Sequence, residues 1–167
     1  NGNSLILGNP NATLTITAFL SLYCTPCGTA FKKLNKLLEN GVDVKINVVF
    51  SVYNDDQSNK LINALYSLYN MQGSAQTGDF LEQWYTTLKP SRIALYENLV
   101  TDNFEISKQI RDQNKELCEK YEVPGRPIVY VGGCEFPNQY EYSDSEYYLD
   151  EIINLAKKDK RQEAWTN

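Results

Sequence analysis

The order of hydrophobic and polar residues predicts a strand, a helix and a strand in the first fifty residues. Residues 13–20 and 42–50 alternate apolar and polar side chains and are rich in β-branched residues, which favours strands. Residues 5–7 form a shorter apolar run before a Gly8-Asn9-Pro10 turn signal. Between the two longer strands lies an apolar stripe at helical spacing: Ala30, Phe31, Leu34, Leu37 and Leu38. Gly41 should end this helix, and the crossover should be parallel and right-handed.

The middle of the chain, about residues 57–122, contains helical patterns and no strand pattern. Apolar stripes run over residues 61–69 and 80–88, and Pro90 should stop the second of them. Residues 91–98 predict a short third helix. Asp102 and Glu105 form a capping box for a fourth, which extends to about residue 121. We therefore expect a helical insertion between two halves of a sheet, within a single domain spanning residues 1–167.

The last third returns to strand and then to helix. Residues 127–131 predict a strand, and Gly132-Gly133 is a hairpin signal leading into residues 134–136. Ser143 and Glu146 form a capping box for a final helix with an apolar face. The basic run at residues 157–161 is best explained as a solvated helix end. Together these patterns predict an α/β fold with a central mixed sheet.

Composition excludes several classes of function. The chain has 167 residues, of which 42% are hydrophobic, and a net charge of −5 with no histidine. An acidic balance argues against nucleic-acid binding, which needs clustered Lys and Arg. Without histidine there is no Cys–His or Ser–His dyad. We expect no membrane span, because no apolar run approaches about 20 residues. The start at Asn1 is typical of a mature protein or an excised soluble domain.

Two cysteines stand where the first long strand gives way to the helix, as Cys24-Thr25-Pro26-Cys27. The N–H groups and the positive dipole end of a helix N-terminus stabilise a thiolate, which is the attacking species in disulfide exchange. We expect Cys24 to be the nucleophile and Cys27 the resolving thiol. A structural disulfide and half of a metal site are the alternatives. Because Cys118 and Cys134 are not spaced as a second pair, we expect no metal site.

These residues resemble the thioredoxin superfamily, and in particular its bacterial DsbA-like branch. The resemblance is carried by residues 8–12, the strand at 14–20, residues 23–27 and residues 123–133. It runs from about residue 8 to about residue 155. In the last segment Pro127 stands where the family has a cis-proline facing the reactive disulfide. The resemblance implies a thioredoxin-like fold with an inserted helical subdomain.

The resemblance also implies an enzyme, a thiol–disulfide oxidoreductase acting on protein or peptide disulfides without a bound cofactor. In relatives the redox partner is often a membrane quinone-linked oxidoreductase, sometimes on the same polypeptide, as in a vitamin K epoxide reductase fusion. The implied location is periplasmic or extracytoplasmic, including the soluble domain of a membrane protein. The alternatives are a disulfide reductase or isomerase of thioredoxin type, a non-catalytic peptide-binding module, and a metal-binding domain.

Further site residues follow from the resemblance. Pro127 and the backbone of Arg126 are expected to bind an extended substrate, and Tyr23 is either a stacking platform or core packing. Thr25 and Pro26 should tune the redox potential. Pro26 resembles the reducing thioredoxins, whereas the strong oxidants of the branch carry histidine at that position. Ala18 is a second departure, because relatives often have a buried acid there.

Cys118 and Cys134 are candidates for a second disulfide, which would stabilise the fold by about 3 kcal/mol. The alternative is two separate small apolar residues. The direction of electron flow, the substrate and the oligomeric state do not follow from the sequence.

Overall fold

The structure is a computed structural model, and it describes residues 5–51, 55–100, 107–120, 127–131 and 134–135. In this part of the chain one sheet has five strands in the order β1-β3-β2-β4-β5. They are β1 (Leu5–Gly8), β2 (Leu14–Leu20), β3 (Val44–Phe50), β4 (Ile128–Val131) and β5 (Cys134–Glu135). Only β2 and β3 run parallel among these strands; the β1–β3, β2–β4 and β4–β5 pairs are antiparallel. The sheet is therefore mixed, as the sequence predicts.

The parallel pair is joined by helix α1 (Thr25–Glu39). Its apolar stripe is buried against the sheet, with Phe31, Leu34 and Leu37 each about 1% exposed. The helix ends at Asn40, and Gly41 follows with φ of 70°, a conformation that glycine adopts without steric cost. The predicted strand–helix–strand crossover and its glycine stop are thus present.

Three helices lie between β3 and β4 in the described residues: α2 (Asp56–Thr86), α3 (Arg92–Leu99) and α4 (Ser107–Lys120). The two apolar stripes predicted as separate helices belong to the two arms of α2, which meet at Gly73 with φ of 87°. A 3-10 turn, Lys89–Ser91, connects α2 to α3. The described parts of residues 57–122 contain no strand, as predicted.

The sheet has a packed cluster on each face. The larger cluster joins the sheet to α1 and α2, and includes the fully buried Trp84. The smaller one consists of Phe19, Val49, Ile128 and Tyr130, with Leu117 and Cys118 of α4 packed against it. Helices on both faces make the sheet a buried central layer, which is the α/β architecture expected from the sequence.

Several predicted elements lie outside the described residues. These are the capping boxes at Asp102 and Ser143, the final helix, and the basic run at residues 157–161. The extent of a single domain over residues 1–167 also stays a prediction.

Candidate redox site

The sequence places Cys24 at the N-cap of α1, directly after the loop that leaves β2. Its backbone is extended, with φ of −107° and ψ of 117°, and its sulfur accepts a hydrogen bond from the Cys27 N–H at 3.3 Å. Pro26 lies in the first turn, where its missing N–H costs no helical hydrogen bond. Cys24 is half-buried, so its sulfur is accessible and lies among the N–H groups that favour negative charge.

Cys27 lies in the first turn of α1 and is fully buried at 0% exposure. Its sulfur accepts a hydrogen bond from the backbone N–H of Ser21, at 3.3 Å. The two cysteines thus differ as expected for an accessible and a shielded member of a pair. Ala18, also fully buried, lies in β2 with a methyl group where a proton-relaying acid would have to be.

Helix α2 holds the loop between β2 and α1 in place. The indole N–H of Trp84 donates to the Leu22 carbonyl oxygen at 2.7 Å, and the Tyr85 hydroxyl donates to the Ser21 carbonyl oxygen at 3.0 Å. Ser21 is therefore fixed through both of its backbone polar groups, by Tyr85 at its carbonyl and by Cys27 at its N–H. Trp84 lies in a predicted helical stripe, but no local pattern reveals these hydrogen bonds.

Gly28 allows α2 to approach this closely. A Cβ atom at this position would lie 2.9 Å from Tyr85 Cδ1 and 3.2 Å from Tyr85 Cβ. Only glycine fits without moving the tyrosine ring, which packs at 5.5 Å against Phe31. The residue after the Cys-x-x-Cys motif is thus determined by the helical insertion.

Tyr23, 39% exposed, packs edge-to-face against Trp84, with ring centroids 5.6 Å apart. The Arg92 guanidinium also lies against this indole, 5.1 Å from the Trp84 ring centroid. Its Nε donates to the carbonyl oxygens of Trp84 and Thr87 at 2.8 and 3.0 Å. Both interpretations of Tyr23 have support here, since the ring packs against Trp84 while part of it is open.

Pro127 directly precedes β4. The β2–β4 register pairs Phe19 with Ile128, so the half-buried Pro127 comes at the end of β2 from which the chain leads to Cys24. Arg126 and the peptide bond that joins it to Pro127 lie outside the described residues. The prediction of a cis bond and of substrate binding by Arg126 therefore stays a prediction.

Of the other candidate residues, Thr25 and Pro26 lie between the two cysteines, whereas Cys118 packs against the far face of the sheet. Thr25 and Pro26 are exposed in the first turn of α1. Cys118 is half-buried on α4, and β5 begins at Cys134, whose side chain is not described. The second disulfide therefore stays a prediction. Among the described residues no cluster of three metal-ligating side chains occurs.

The chain belongs to the thioredoxin family, because the family model described as "Thioredoxin" matches residues 1–151. No curated protein matches the sequence. Similar solved structures include a periplasmic thioredoxin-like protein from Salmonella enterica serovar Typhimurium. It is 16% identical over 92% of each chain, with a TM-score of 0.72.

Two further structures have the same fold. ScsC of Proteus mirabilis in a transitional conformation is 22% identical over 93% of this chain and 74% of its own, with a TM-score of 0.68. The thiol-disulfide exchange protein alpha-DsbA2 from Wolbachia pipientis is 16% identical over 91% of this chain and 88% of its own, with a TM-score of 0.68. The thioredoxin-like fold is confirmed, and the match to the thioredoxin family supports the oxidoreductase class. The DsbA-like branch stays a prediction.

Proposed function

We propose that the protein exchanges disulfides with protein or peptide substrates through the Cys24-Thr25-Pro26-Cys27 pair. The observation that carries this proposal is the asymmetry of the two sulfurs. Cys24 is accessible and accepts the Cys27 N–H at the start of α1, whereas Cys27 is buried one turn on. An accessible thiolate can attack or be attacked, and a shielded neighbour can then resolve the product.

The exchange is balanced in both directions. In oxidation, a substrate thiolate attacks Cys24 of the disulfide form, a substrate–Cys24 bond forms, and Cys27 leaves as a thiolate. A second substrate thiolate attacks the mixed disulfide, and Cys24 leaves. The substrate gains a disulfide, and two electrons remain on the Cys24–Cys27 dithiol. Reduction is the reverse: Cys24 attacks a substrate disulfide and Cys27 displaces the substrate thiolate.

The end of β2 next to the motif is where we expect an extended substrate to bind. Half-buried Pro127 lies at the end of β2 near the start of α1, and the family's cis-proline would leave the backbone of Arg126 available to a substrate strand. Tyr23, directly before Cys24, is partly exposed. Thiol–disulfide exchange needs no bound cofactor, so the oxidation state must be restored by a redox partner. A membrane quinone-linked oxidoreductase is the partner we propose.

The proposed location is periplasmic or extracytoplasmic. One similar structure is itself a periplasmic protein, and an oxidising compartment is where stable disulfides form. None of the helices in the described residues has the length and apolar character needed to cross a bilayer. Fusion to a membrane domain stays a prediction.

The direction of electron flow depends on the groups around the two sulfurs. Pro26, rather than histidine, leaves out a donor to the Cys24 sulfur, and buried Ala18 leaves out an acid near Cys27. The absence of the acid removes a proton relay for Cys27 and does not by itself favour either direction. The absence of the histidine donor removes stabilisation of the Cys24 thiolate, which shifts the pair toward the reducing side. The Ser21 N–H bond to Cys27 works in the opposite sense, because it stabilises the reduced form. A reductase or isomerase is therefore the second candidate, favoured by Thr25 and Pro26.

Equilibration of the purified protein with glutathione buffers tests the proposal. A reduction potential of about −120 mV would indicate a disulfide donor, and one of about −270 mV would indicate a reductant. Cys24→Ser should abolish exchange, while Cys27→Ser should accumulate a mixed disulfide with substrate. Cys118→Ser is the matched control and should leave the potential unchanged. A pair that never cycles would favour a non-catalytic binding module.

A further inference from the structure

An apolar pocket of about 150 Å³ lies beside Tyr23, the residue before Cys24. We call it the Tyr23 pocket; it is lined by Tyr23, Gln57, Trp84, Lys89, Arg92, Ile93 and Tyr96. Three of its walls are aromatic rings, and Ile93 is 62% exposed at its edge. Ile93 and Tyr23 therefore border the pocket with exposed apolar surface.

Tyr23, which lines the pocket, is the residue directly before Cys24. Consecutive Cα atoms are about 3.8 Å apart, so the Cα of Tyr23 is that close to the Cα of Cys24. An extended substrate advances about 3.3 Å per residue. A side chain one or two positions from the attacked cysteine can therefore enter the pocket while the sulfurs are in contact.

The walls of the pocket are preorganised. Trp84 is held by its bond to the Leu22 carbonyl, and Arg92 by two carbonyl contacts as well as by the Trp84 ring. Burial raises the pKa of Tyr96. A pocket that need not reorganise loses little binding free energy to ordering.

The charged residues that line the pocket have one sign. They are Lys89 and Arg92, and no lining residue is acidic. Two acids come just before the part of α2 that reaches the pocket: Asp55, which accepts the Ser58 N–H at 2.7 Å as the N-cap, and Asp56 in the first turn. The charge of Asp55 also acts on Tyr96, so the two cations of the lining have one acid close to the pocket wall.

We propose that the Tyr23 pocket is a substrate subsite for an aromatic side chain next to the reactive cysteine, followed or preceded by Asp or Glu. The ring packs edge-on against the aromatic walls, and the carboxylate faces Lys89 and Arg92. A cavity of about 150 Å³ is large enough for one six-membered ring. The proposal rests on the disulfide-exchange function above and names the sequences that the enzyme prefers.

Four dithiol peptides test this proposal. They are identical except for the two residues next to the first cysteine, which are Phe-Glu, Phe-Lys, Gly-Glu or Gly-Lys. With the wild-type protein we expect kcat/KM to be about tenfold higher for Phe than for Gly. Glu should be preferred over Lys about threefold at low salt, and less at high salt. If the enzyme acts as a reductase, the same peptides are used as disulfides.

Variants of the protein separate the preference for Phe from the preference for Glu. Ile93→Ser should reduce the Phe preference severalfold, and Lys89→Glu should reverse the Glu preference. Met71→Ser, at an 80% exposed position away from the pocket, is the control for apolar loss. Lys36→Glu, on the last turn of α1, is the control for charge reversal. Both controls should keep the wild-type preferences.

The outcomes are distinguishable. Turnover without preference, or equal changes in pocket and control variants, overturns the subsite while the redox function stands. If no peptide is turned over, the redox function fails. NMR titration of the Ile93 methyl signals with the Phe-Glu peptide then decides the pocket by itself: shifts that the Gly-Lys peptide does not cause support it, and their absence overturns it.

Discussion

Two buried glycines in helices provide the sharpest test of how α2 supports the site. Gly28 lies in α1, where an added Cβ would meet the Tyr85 ring at 2.9 Å. Gly78 lies in α2, where the nearest atom to an added Cβ is Asn35 Oδ1 at 3.8 Å, an ordinary contact. Alanine at either position gains the same helix propensity, about 1 kcal/mol. Any difference between the two variants therefore reports the Tyr85 contact.

We expect opposite signs. Gly78→Ala should stabilise the fold by up to about 1 kcal/mol, whereas overpacking at Gly28 costs about 1–3 kcal/mol and should outweigh the propensity gain. Tyr85 cannot yield cheaply, because its Cβ is also within 3.2 Å and its hydroxyl is bonded to Ser21. The expected difference in unfolding free energy is about 1–3 kcal/mol.

Urea unfolding followed by far-ultraviolet circular dichroism measures this difference directly. Gly28→Ala should also slow disulfide exchange, since a displaced Tyr85 moves the Ser21 backbone that contacts the Cys27 sulfur. Gly78→Ala should not. If both variants gained the same stability, α1 and α2 would not approach each other closely at the motif, and the reasoning would be refuted.

Two further variants probe the same supports, and a third tests a buried tyrosine elsewhere in α2. Tyr85→Phe deletes only the hydroxyl bond to Ser21, and should cost about 1 kcal/mol by urea unfolding and shift the measured reduction potential. Trp84→Phe takes the indole donor away from the buried Leu22 carbonyl, which should cost about 1–3 kcal/mol by the same assay before any loss of ring contacts. Burial raises the pKa of Tyr66 to about 12 from 10.0. The unfolded state therefore loses this proton at a lower pH than the folded state does. The free energy of unfolding should fall by about 3 kcal/mol as the pH rises from 10 through 12, and the full stability is present below pH 10. Unfolding between pH 9 and 12 should show this loss, and Tyr66→Phe should remove it.

Local patterns predicted most of the described fold. Alternation over β2 and β3, the helical stripe of α1 and the glycine stop all depend on residues a few positions apart. These interactions are decided within one element, so the sequence displays them directly. The two arms of α2 were harder to relate, because the hydrophobic pattern does not show that the chain is helical up to Gly73 and becomes helical again directly after it.

The strand order and the packing of the insertion required the tertiary structure. The pairing of β4 with β2 joins Phe19 to Ile128, more than a hundred residues later. No periodicity specifies such a pairing; the resemblance to a known family implied only that Pro127 faces the reactive disulfide. Cys118 illustrates the same limit, since only the fold places it against the second face of the sheet.

The amino-acid sequence alone determined the local arrangement of the two cysteines. Cys24 and Cys27 lie at the N-terminus of a helix, with proline in its first turn. That arrangement is set by neighbours in sequence, and so it can be recognised there. The surroundings were decided by the tertiary structure alone. Trp84 and Tyr85 reach carbonyl groups 62 and 64 residues away, and they create both the support for Cys27 and one wall of the Tyr23 pocket. Contacts over such separations depend on how whole elements pack, which no local pattern encodes.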